Sequence, residues 1–248
     1  QKNSVEKRDY QINLANQAMN ENCVVVLPTG LGKTTIALHV IAEYLSRESS
    51  RILFLAPTRV LVNQHFNFLK QNLTTDEITL ITGEDSVEKR TELWDSRIIC
   101  ATPEVARNDL NRKIITSQQF SLVIFDEVHR TTGDYAYSSI AEHFENSNTR
   151  LLGMTATLPS EQEKATEILT RLRISSVAER TDNSPDVKPY IQETKTEWIN
   201  VELPSELKSI QKLLKLALDE RYDNLRKNGL NLNDQQSLSA LLRLRPYV

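Results

Sequence analysis

The sequence predicts an α/β fold in which a mostly parallel sheet is covered by helices on both faces. Six short apolar runs, of the kind that form fully buried strands, alternate with segments of helical periodicity. Strands and helices that alternate in this way form parallel sheets. Glycines, threonines and acidic residues follow the ends of these runs, and such sheets bind ligands at the carboxyl ends of their strands.

The individual elements follow from the spacing of apolar residues. Strands are predicted at residues 24–27, 52–56, 78–82, 98–101, 122–125 and 151–155. Helices are predicted before and between the strands, at residues 5–20, 34–46, 59–71, 103–112 and 135–144. With 248 residues, the chain is long enough for one large domain or two smaller ones.

The pattern changes after residue 182, and this change divides the chain. Residues 1–182 form the predicted α/β domain, and residues 183–204 a turn-rich linker with a strand-like run near its end, at 197–203. Residues 205–248 begin a helical domain, in which a long first helix is followed by a second helical piece at 236–244. We expect the chain to be part of a longer protein, because no third α/β unit follows.

Composition restricts the class of protein. The formal net charge is −3, so overall charge does not favour nucleic acid, and any nucleic-acid site has to be a local surface. No apolar run reaches the roughly 18 residues of a membrane span, so we expect no membrane association. Cys23 and Cys100 lie in apolar runs, which favours two reduced core residues over a disulfide or a metal pair.

A buried strand, a tight glycine loop and a helix start form the first chemical signature. Gly30 and Gly32 allow the loop to turn its N–H groups inward, where they form a cradle for phosphate oxygens. Lys33 supplies a positive charge for the β- and γ-phosphates, and Thr34 a hydroxyl for Mg²⁺. Leu27 stands where the strict motif has glycine, so the loop alone also fits an ordinary strand-to-helix turn.

An acidic pair follows the apolar run at residues 122–125. Asp126 is suited to hold Mg²⁺, and Glu127 to orient and deprotonate an attacking water. His129 is close enough in the sequence to respond to the γ-phosphate. A plain helix N-terminus also favours acidic residues, but it does not explain their position after a buried strand.

With these two signatures, the chain resembles the first RecA-like P-loop domain of superfamily 2 helicases. Residues 28–34 are similar to motif I of that family, and residues 126–129 to its DEAD/DEAH motif II. Motifs Ia, Ib, Ic and III have counterparts, in family order, at residues 56–64, 82–84, 101–104 and 155–157. Val128 stands where alanine is usual in motif II.

The resemblance implies ATP and Mg²⁺ as cofactors and assigns roles to individual residues. The nucleotide would be held by Arg8, Gln11, Thr29, Gly30, Gly32, Lys33, Thr34 and Thr35, with the Gln11 amide suited to the adenine edge. Mg²⁺ would be held by Thr34 and Asp126, and catalysis would use Lys33, Asp126, Glu127 and His129. The backbone of one nucleic-acid strand would lie across Pro57, Thr58, Arg59, Gln64, Thr82, Gly83, Thr102 and Pro103. Hydrolysis would be coupled to domain movement through Thr155 and Thr157.

A closer similarity is to the archaeal Hef and FANCM family, on residues 8–11, 133–137 and 183–190. In that family a helical, thumb-like domain is inserted between two RecA-like domains and helps to grip branched DNA. The resemblance implies an ATP-dependent helicase or translocase on forked or branched DNA in replication-fork repair, located in the cytoplasm and, in a prokaryote, with the nucleoid. The partner would be a second RecA-like domain with arginine fingers. Without it, we expect weak nucleotide binding and slow hydrolysis.

Two other functions stay open on the sequence. One is an RNA-acting relative, such as an innate-sensor or Dicer-like helicase, which shares the same motifs. The other is a nucleotide-gated binding module with a vestigial ATPase, although the residues of an active site are present at Lys33, Thr34, Asp126 and Glu127.

The remaining histidines and two tyrosines receive no chemical role. No second ligand at metal spacing accompanies the histidines in helical segments, so packing or surface roles are expected for His39, His65 and His143. Tyr135 and Tyr137 are expected in the core or at its rim rather than stacked on bases.

Overall fold

The computed structural model describes residues 6–47, 50–131, 135–191, 201 and 203–227. The chain divides into two compact units, residues 1–192 and 193–248. The first unit carries the sheet, and the second carries one described helix. No helix of the described residues is long and apolar enough to cross a membrane.

The first unit is built on a seven-stranded sheet, and every strand pair in it is parallel. The strands are β1 (Cys23–Val26), β2 (Ile52–Leu55), β3 (Ile78–Ile81), β4 (Ile98–Ala101), β5 (Leu122–Asp126), β6 (Arg150–Thr155) and β7 (Ser176–Glu179). Their spatial order is β3-β4-β2-β5-β6-β1-β7. The predicted α/β class and parallel sheet are therefore confirmed.

Helices flank the strands along the chain. In the first unit they are α1 (Asp9–Asn20), α2 (Lys33–Leu45), α3 (Arg59–Asn72), α4 (Val87–Leu93), α5 (Pro103–Asn111), α6 (Ala136–His143) and α7 (Gln162–Arg171). Apolar residues of α1, α2 and α3 pack into one buried cluster with one face of the sheet, whereas α5, α6 and α7 contribute to the cluster on the other face. Successive residues of one strand enter opposite clusters, as in Val24 and Val25, because side chains alternate along a strand.

Three of these elements, β7, α7 and α4, were not predicted from the sequence, and the reason is the same for each. Strand β7 lies at the sheet edge, and only Ala178 within it is buried. Helix α7 buries only Ile168, and α4 has only seven residues. None of the three shows the sustained apolar pattern that reveals a buried element. The first helix also begins later than predicted, at Asp9.

The segment after β7 belongs to the first unit and packs against its other elements as far as residue 191. Val187 is fully buried, and the Tyr190 ring lies 5.6 Å from the ring of Tyr10 in α1. The Arg180 guanidinium contacts the Asp186 carboxylate at 2.8 Å. The first part of the predicted linker is thus fixed in place by apolar and charged contacts.

The second unit contains α8 (Ser205–Lys227), which begins where the sequence predicts a helix. Its leucines and Ile210 are largely exposed among the described residues. Most of the strand predicted at 197–203, and all of the helix predicted at 236–244, lie outside the described residues. That these residues begin a helical insertion stays a prediction.

Candidate functional site

The phosphate-binding signature forms the loop between β1 and α2. Gly30 and Gly32 have φ angles of 83° and 85°, a left-handed conformation that glycine adopts without strain. Gly32 is also the residue that precedes the first turn of α2. The Lys33 ammonium donates a hydrogen bond to the Leu27 carbonyl oxygen at 3.0 Å, which folds its side chain back along the loop. The loop therefore presents the backbone amides and the cation that phosphate groups require.

A cavity of about 370 Å³ opens beside this loop. It is lined by Thr29, Gly30, Gly32, Lys33, Thr34 and Thr35 from the loop and α2, and by Gln64, His65 and Phe68 from α3. Six of the eight residues predicted to hold the nucleotide thus meet at one cavity. Gln64, which the sequence analysis grouped with the nucleic-acid strand, also lines this cavity. Helix α3 contacts α2, which begins in the phosphate loop.

The electrostatics of Lys33 connect the loop with the acidic pair. Partial burial lowers the pKa of the Lys33 ammonium, and the negative charges of Glu127 and Asp126 act in the opposite direction. The two carboxylates are therefore close enough for their charges to act on the lysine. This proximity follows from the sheet, in which only β6 lies between β1 and β5.

Asp126 is the last residue of β5, and its side chain is buried. Its Oδ2 atom lies 2.7 Å from Nε2 of His65 in α3. Glu127, the next residue, has a φ of 53°, a left-handed conformation that is uncommon outside glycine. A 3₁₀ turn follows at Val128–Arg130. The two carboxylates have different partners, His65 for Asp126 and His129 for Glu127.

His129 joins the acidic pair to the end of β6. Its Nδ1 atom lies 3.0 Å from the Thr155 hydroxyl and 3.1 Å from a carboxylate oxygen of Glu127. The Thr155 hydroxyl donates its own hydrogen to the Thr157 carbonyl oxygen at 2.8 Å, so it accepts from the histidine. Nδ1 of His129 therefore carries a proton. Thr157 enters this network through its backbone.

Gln11 and Tyr10 of α1 anchor the other side of the phosphate loop. The Leu31 carbonyl oxygen accepts hydrogen bonds from the Tyr10 hydroxyl at 2.7 Å and from the Gln11 amide at 3.0 Å. The remaining side-chain oxygen of Gln11 is buried and has no hydrogen-bond partner in the described part of the chain. A buried acceptor without a partner is costly, and a ligand with an N–H group, such as adenine, would satisfy it.

Arg8 lies beside this anchor and contacts a distant segment. Its guanidinium lies 4.8 Å from the centre of the Tyr190 ring and 3.1 Å from the Glu6 carboxylate. It also donates to the Tyr10 hydroxyl at 3.3 Å. Arg8 precedes α1 and Gln11 lies within it, and both were predicted to hold the nucleotide. The structure brings them together around Tyr10.

The residues present fit a magnesium nucleotide. The orphaned Gln11 oxygen, the left-handed glycines and Lys33 suit the base and phosphates. Mg²⁺ that binds with phosphates needs one or two protein ligands rather than a complete protein cage. Among the described residues, no group of three or more histidine, cysteine, aspartate or glutamate side chains could hold a metal. Thr34 and Asp126 are the residues that would hold it.

The residues predicted to bind a nucleic-acid strand follow three neighbouring strands, β2, β3 and β4. Thr58 begins α3 and accepts a hydrogen bond from the Leu61 amide at 3.3 Å. Arg59 forms an ion pair with Glu84, which joins the ends of β2 and β3. Pro57, Thr58, Arg59, Thr82 and Gly83 are at least partly exposed, whereas Thr102 and Pro103 are buried at the start of α5.

A buried charge network supports the loop after β3. The Asp109 carboxylate, in α5, is fully buried and accepts two hydrogen bonds from the Arg90 guanidinium, both at 2.8 Å. It also accepts one from the Trp94 indole at 2.9 Å. Arg90 in turn donates to the Asp85 carbonyl oxygen at 2.7 Å, and the Asp85 side chain accepts from the Thr82 amide at 3.0 Å. These contacts fix the loop that carries Thr82.

Sequence reasoning missed two residues of the site. His65 was given no role beyond packing or the surface, yet it contacts Asp126. A signal was available, because Val62, His65 and Leu69 lie on the buried face of α3, where a polar side chain needs a partner. Tyr137 is fully buried, as expected, and its hydroxyl donates to the backbone oxygen of Asp126 at 2.8 Å. No sequence pattern predicts that contact.

Comparison with known proteins agrees with this geometry. A family model described as DEAD/DEAH box helicase matches residues 8–165. The crystal structure of the Pyrococcus furiosus Hef helicase domain has a TM-score of 0.73 and 36% sequence identity, and the match covers 96% of this chain and 51% of that chain.

Relatives in an archaeon and in fungi have similar sequences. The protein named putative ATP-dependent RNA helicase MJ1505, from Methanocaldococcus jannaschii, is 42% identical, over 92% of this chain and 29% of the relative. ATP-dependent DNA helicase MPH1 from Saccharomyces cerevisiae is 36% identical, over 86% of this chain and 22% of the relative. ATP-dependent DNA helicase fml1 from Schizosaccharomyces pombe is 33% identical, over 91% of this chain and 28% of the relative. The predicted resemblance is confirmed, and the chain spans less than a third of each of these relatives.

Proposed function

Because this chain belongs to the DEAD/DEAH box helicase family, we propose that it is the ATP-binding part of a DNA helicase or translocase that acts on forked or branched DNA. Its relatives named DNA helicases, MPH1 and fml1, support DNA as the substrate. Replication-fork repair is the process in which such an activity would be used.

One observation carries the proposal. Three adjacent strands, β5, β6 and β1, end at the same edge of the sheet and are followed there by the acidic pair, by Thr155 and by the phosphate loop. Ligand sites in parallel sheets form at this edge. Burial lowers the pKa of Lys33, and the negative charges of Glu127 and Asp126 oppose this shift. His129 contacts the Thr155 hydroxyl, which also supports a shared site.

Each residue has a definite task in ATP hydrolysis. Lys33 and the loop amides would bind the phosphates, and Gln11 the adenine edge. Mg²⁺, when bound, neutralises charge on the phosphate oxygens. Glu127 would orient the attacking water and accept its proton, while His129 and Thr155 would sense the γ-phosphate.

The nucleic-acid side of the proposal rests on groups that bind a backbone. The exposed Thr58 hydroxyl, the Arg59 cation and the amides of the loop at Gly83 suit phosphates and do not read bases. The protein would therefore recognise the shape of its substrate rather than a sequence. A second RecA-like domain would complete the ATP site and close on it.

RNA is the alternative substrate, because the relative MJ1505 is named a putative RNA helicase. The geometry of a backbone-binding surface fits both nucleic acids. The two substrates therefore have to be separated by experiment.

The test is ATP turnover by the natural protein that contains this chain, with forked DNA, linear duplex DNA and double-stranded RNA at one fixed salt concentration. We expect forked DNA to stimulate turnover most and Lys33→Ala to abolish it. Stimulation by RNA alone would overturn the DNA assignment. Unchanged turnover in Lys33→Ala would overturn the ATP site itself. A wild type without turnover, whose nucleic-acid affinity Lys33→Ala leaves intact, would indicate a binding module with a vestigial ATPase.

The isolated 248-residue chain provides a second comparison. We expect it to bind ATP weakly and to hydrolyse it far more slowly than the natural protein, since an arginine finger is typically worth 10³-fold or more in rate. Equal rates for the two proteins would contradict the need for a second domain.

A further inference from the structure

His65 contacts residues of two neighbouring strands, β2 and β5. Its ring packs on Phe54 of β2, with 4.5 Å between ring centres and 36° between planes. Its Nε2 atom lies 2.7 Å from Oδ2 of Asp126 at the end of β5. The side chains of His65 and Asp126 are 7% and 6% exposed, so the pair is shielded from water.

The chemistry of the pair sets its direction. An ionised carboxylate only accepts hydrogen bonds, so Nε2 of His65 donates and the bond restricts rotation of the Asp126 carboxylate. Oδ2 is then engaged by the histidine, and Oδ1 is left for another ligand. His65 also lines the cavity that contains Lys33 and Thr34, so this orientation is imposed next to the phosphate loop.

We propose that His65 is a positioning residue for the magnesium nucleotide. It orients the Asp126 carboxylate so that the oxygen not bound to His65 faces Mg²⁺. This inference rests on the proposed function, since it names a residue that prepares the same site. Residues that orient a metal ligand by a hydrogen bond typically change metal affinity 10–100-fold when they are removed.

Packing alone is the competing explanation, because a buried aromatic ring beside Phe54 also stabilises the core. Two pairs of variants separate the explanations. His65→Phe keeps an aromatic ring but removes the donor. His65→Gln places an N–H near the position of Nε2, whereas His65→Asn is one methylene shorter and does not reach the carboxylate.

The experiment measures binding of a fluorescent ATP analogue to the natural protein that contains this chain, as a function of Mg²⁺ concentration, and again in EDTA. We expect His65→Phe and His65→Asn to raise the Mg²⁺ concentration for half-maximal binding about 10-fold or more. His65→Gln should restore it to within a few-fold of wild type. Binding in EDTA should be the same for all variants. His143→Phe serves as the control, because His143 is an exposed histidine of α6 that contacts Asn111.

Two results would overturn the proposal. One is a Mg²⁺ dependence in His65→Asn equal to that of His65→Gln. The other is a loss of nucleotide affinity that is the same with Mg²⁺ and in EDTA, which indicates a packing role. Thermal unfolding without nucleotide shows whether His65→Phe folds. If it does not fold, the comparison of His65→Gln with His65→Asn still tests the proposal. If wild type itself shows no Mg²⁺-dependent binding, the proposed function fails instead.

Discussion

The two glycines of the phosphate loop differ in what a side chain would meet, and this difference can be measured. A Cβ atom at Gly30 would have no heavy atom within 4 Å. A Cβ at Gly32 would lie 2.4 Å from Nε2 of Gln11, closer than any real contact allows. Since the φ angles are nearly equal, at 83° and 85°, Gly30→Ala is a matched control for Gly32→Ala.

The expected magnitudes follow from these contacts. Either substitution forces alanine into a left-handed conformation, which costs about 1–2 kcal/mol. Gly32→Ala also displaces the Gln11 amide from the Leu31 carbonyl oxygen, and a net hydrogen bond contributes about 0.5–1.5 kcal/mol. Leu31 keeps its bond from the Tyr10 hydroxyl, which limits the loss. We therefore expect Gly32→Ala to lower the free energy of unfolding by about 1 kcal/mol more than Gly30→Ala.

Urea unfolding of both variants measures this difference, and nucleotide binding tests its consequence. If Gln11 reads the adenine edge, its displacement should reduce the preference for ATP over GTP in Gly32→Ala and not in Gly30→Ala. Equal losses of stability in the two variants would refute the steric argument. An unchanged nucleotide preference, with the stability difference present, would show that Gln11 does not select the base.

Three further predictions concern buried or charged contacts. Asp109→Ala leaves the Arg90 cation buried and unpaired, so urea unfolding should show a loss of about 3–5 kcal/mol. Tyr137→Phe removes the hydroxyl bonded to the Asp126 backbone and should lower the same free energy by about 1–2 kcal/mol. The Lys89 ammonium lowers the pKa of Asp85 in the folded state. The ionised Asp85 therefore stabilises the fold fully above about pH 4, the pKa of an aspartate in the unfolded chain. This stabilisation is lost as the pH falls through the lower pKa of Asp85 in the folded state. Asp85→Asn should reduce the difference in stability between pH 5 and pH 3, and an identical difference would exclude this contribution.

The sheet was predictable because its strands are buried on both faces. Strand β2 is therefore a continuous apolar run, and so is β5 up to its last residue, Asp126. The same argument explains why β7 was not predicted, since it has one neighbour and only one of its four residues is buried. Burial, rather than strand formation itself, produces the sequence signal.

The candidate site was predictable where chemistry is concentrated in a short motif. The phosphate loop and the acidic pair each contain their functional groups within a few residues. The contact of His65 with Asp126 joins residues 61 positions apart, and it depends on how α3 packs over the sheet. Local sequence carries no direct information on such a contact, although the apolar neighbours of His65 show that it faces inward.

One substitution relative to the family motif has a structural explanation. Val128, where alanine is usual, is fully buried after the acidic pair. A Cβ atom at Gly153 of β6 would lie 3.1 Å from Val128 and 2.8 Å from Val24. The absence of a side chain at Gly153 leaves room for the larger valine. Whether a valine fits at position 128 therefore depends on the residue at position 153.

The burial of both cysteines makes this chain well suited to site-directed labelling. The sequence contains two cysteines, Cys23 and Cys100, and both thiols are fully buried in the sheet. Burial raises the pKa of each to about 12, so few thiolates are present at neutral pH. Maleimide dyes would therefore react selectively with cysteines introduced at exposed positions, such as Thr58 and Lys212. Dyes could thus be placed at chosen positions of either unit, with no native cysteine of this chain to remove.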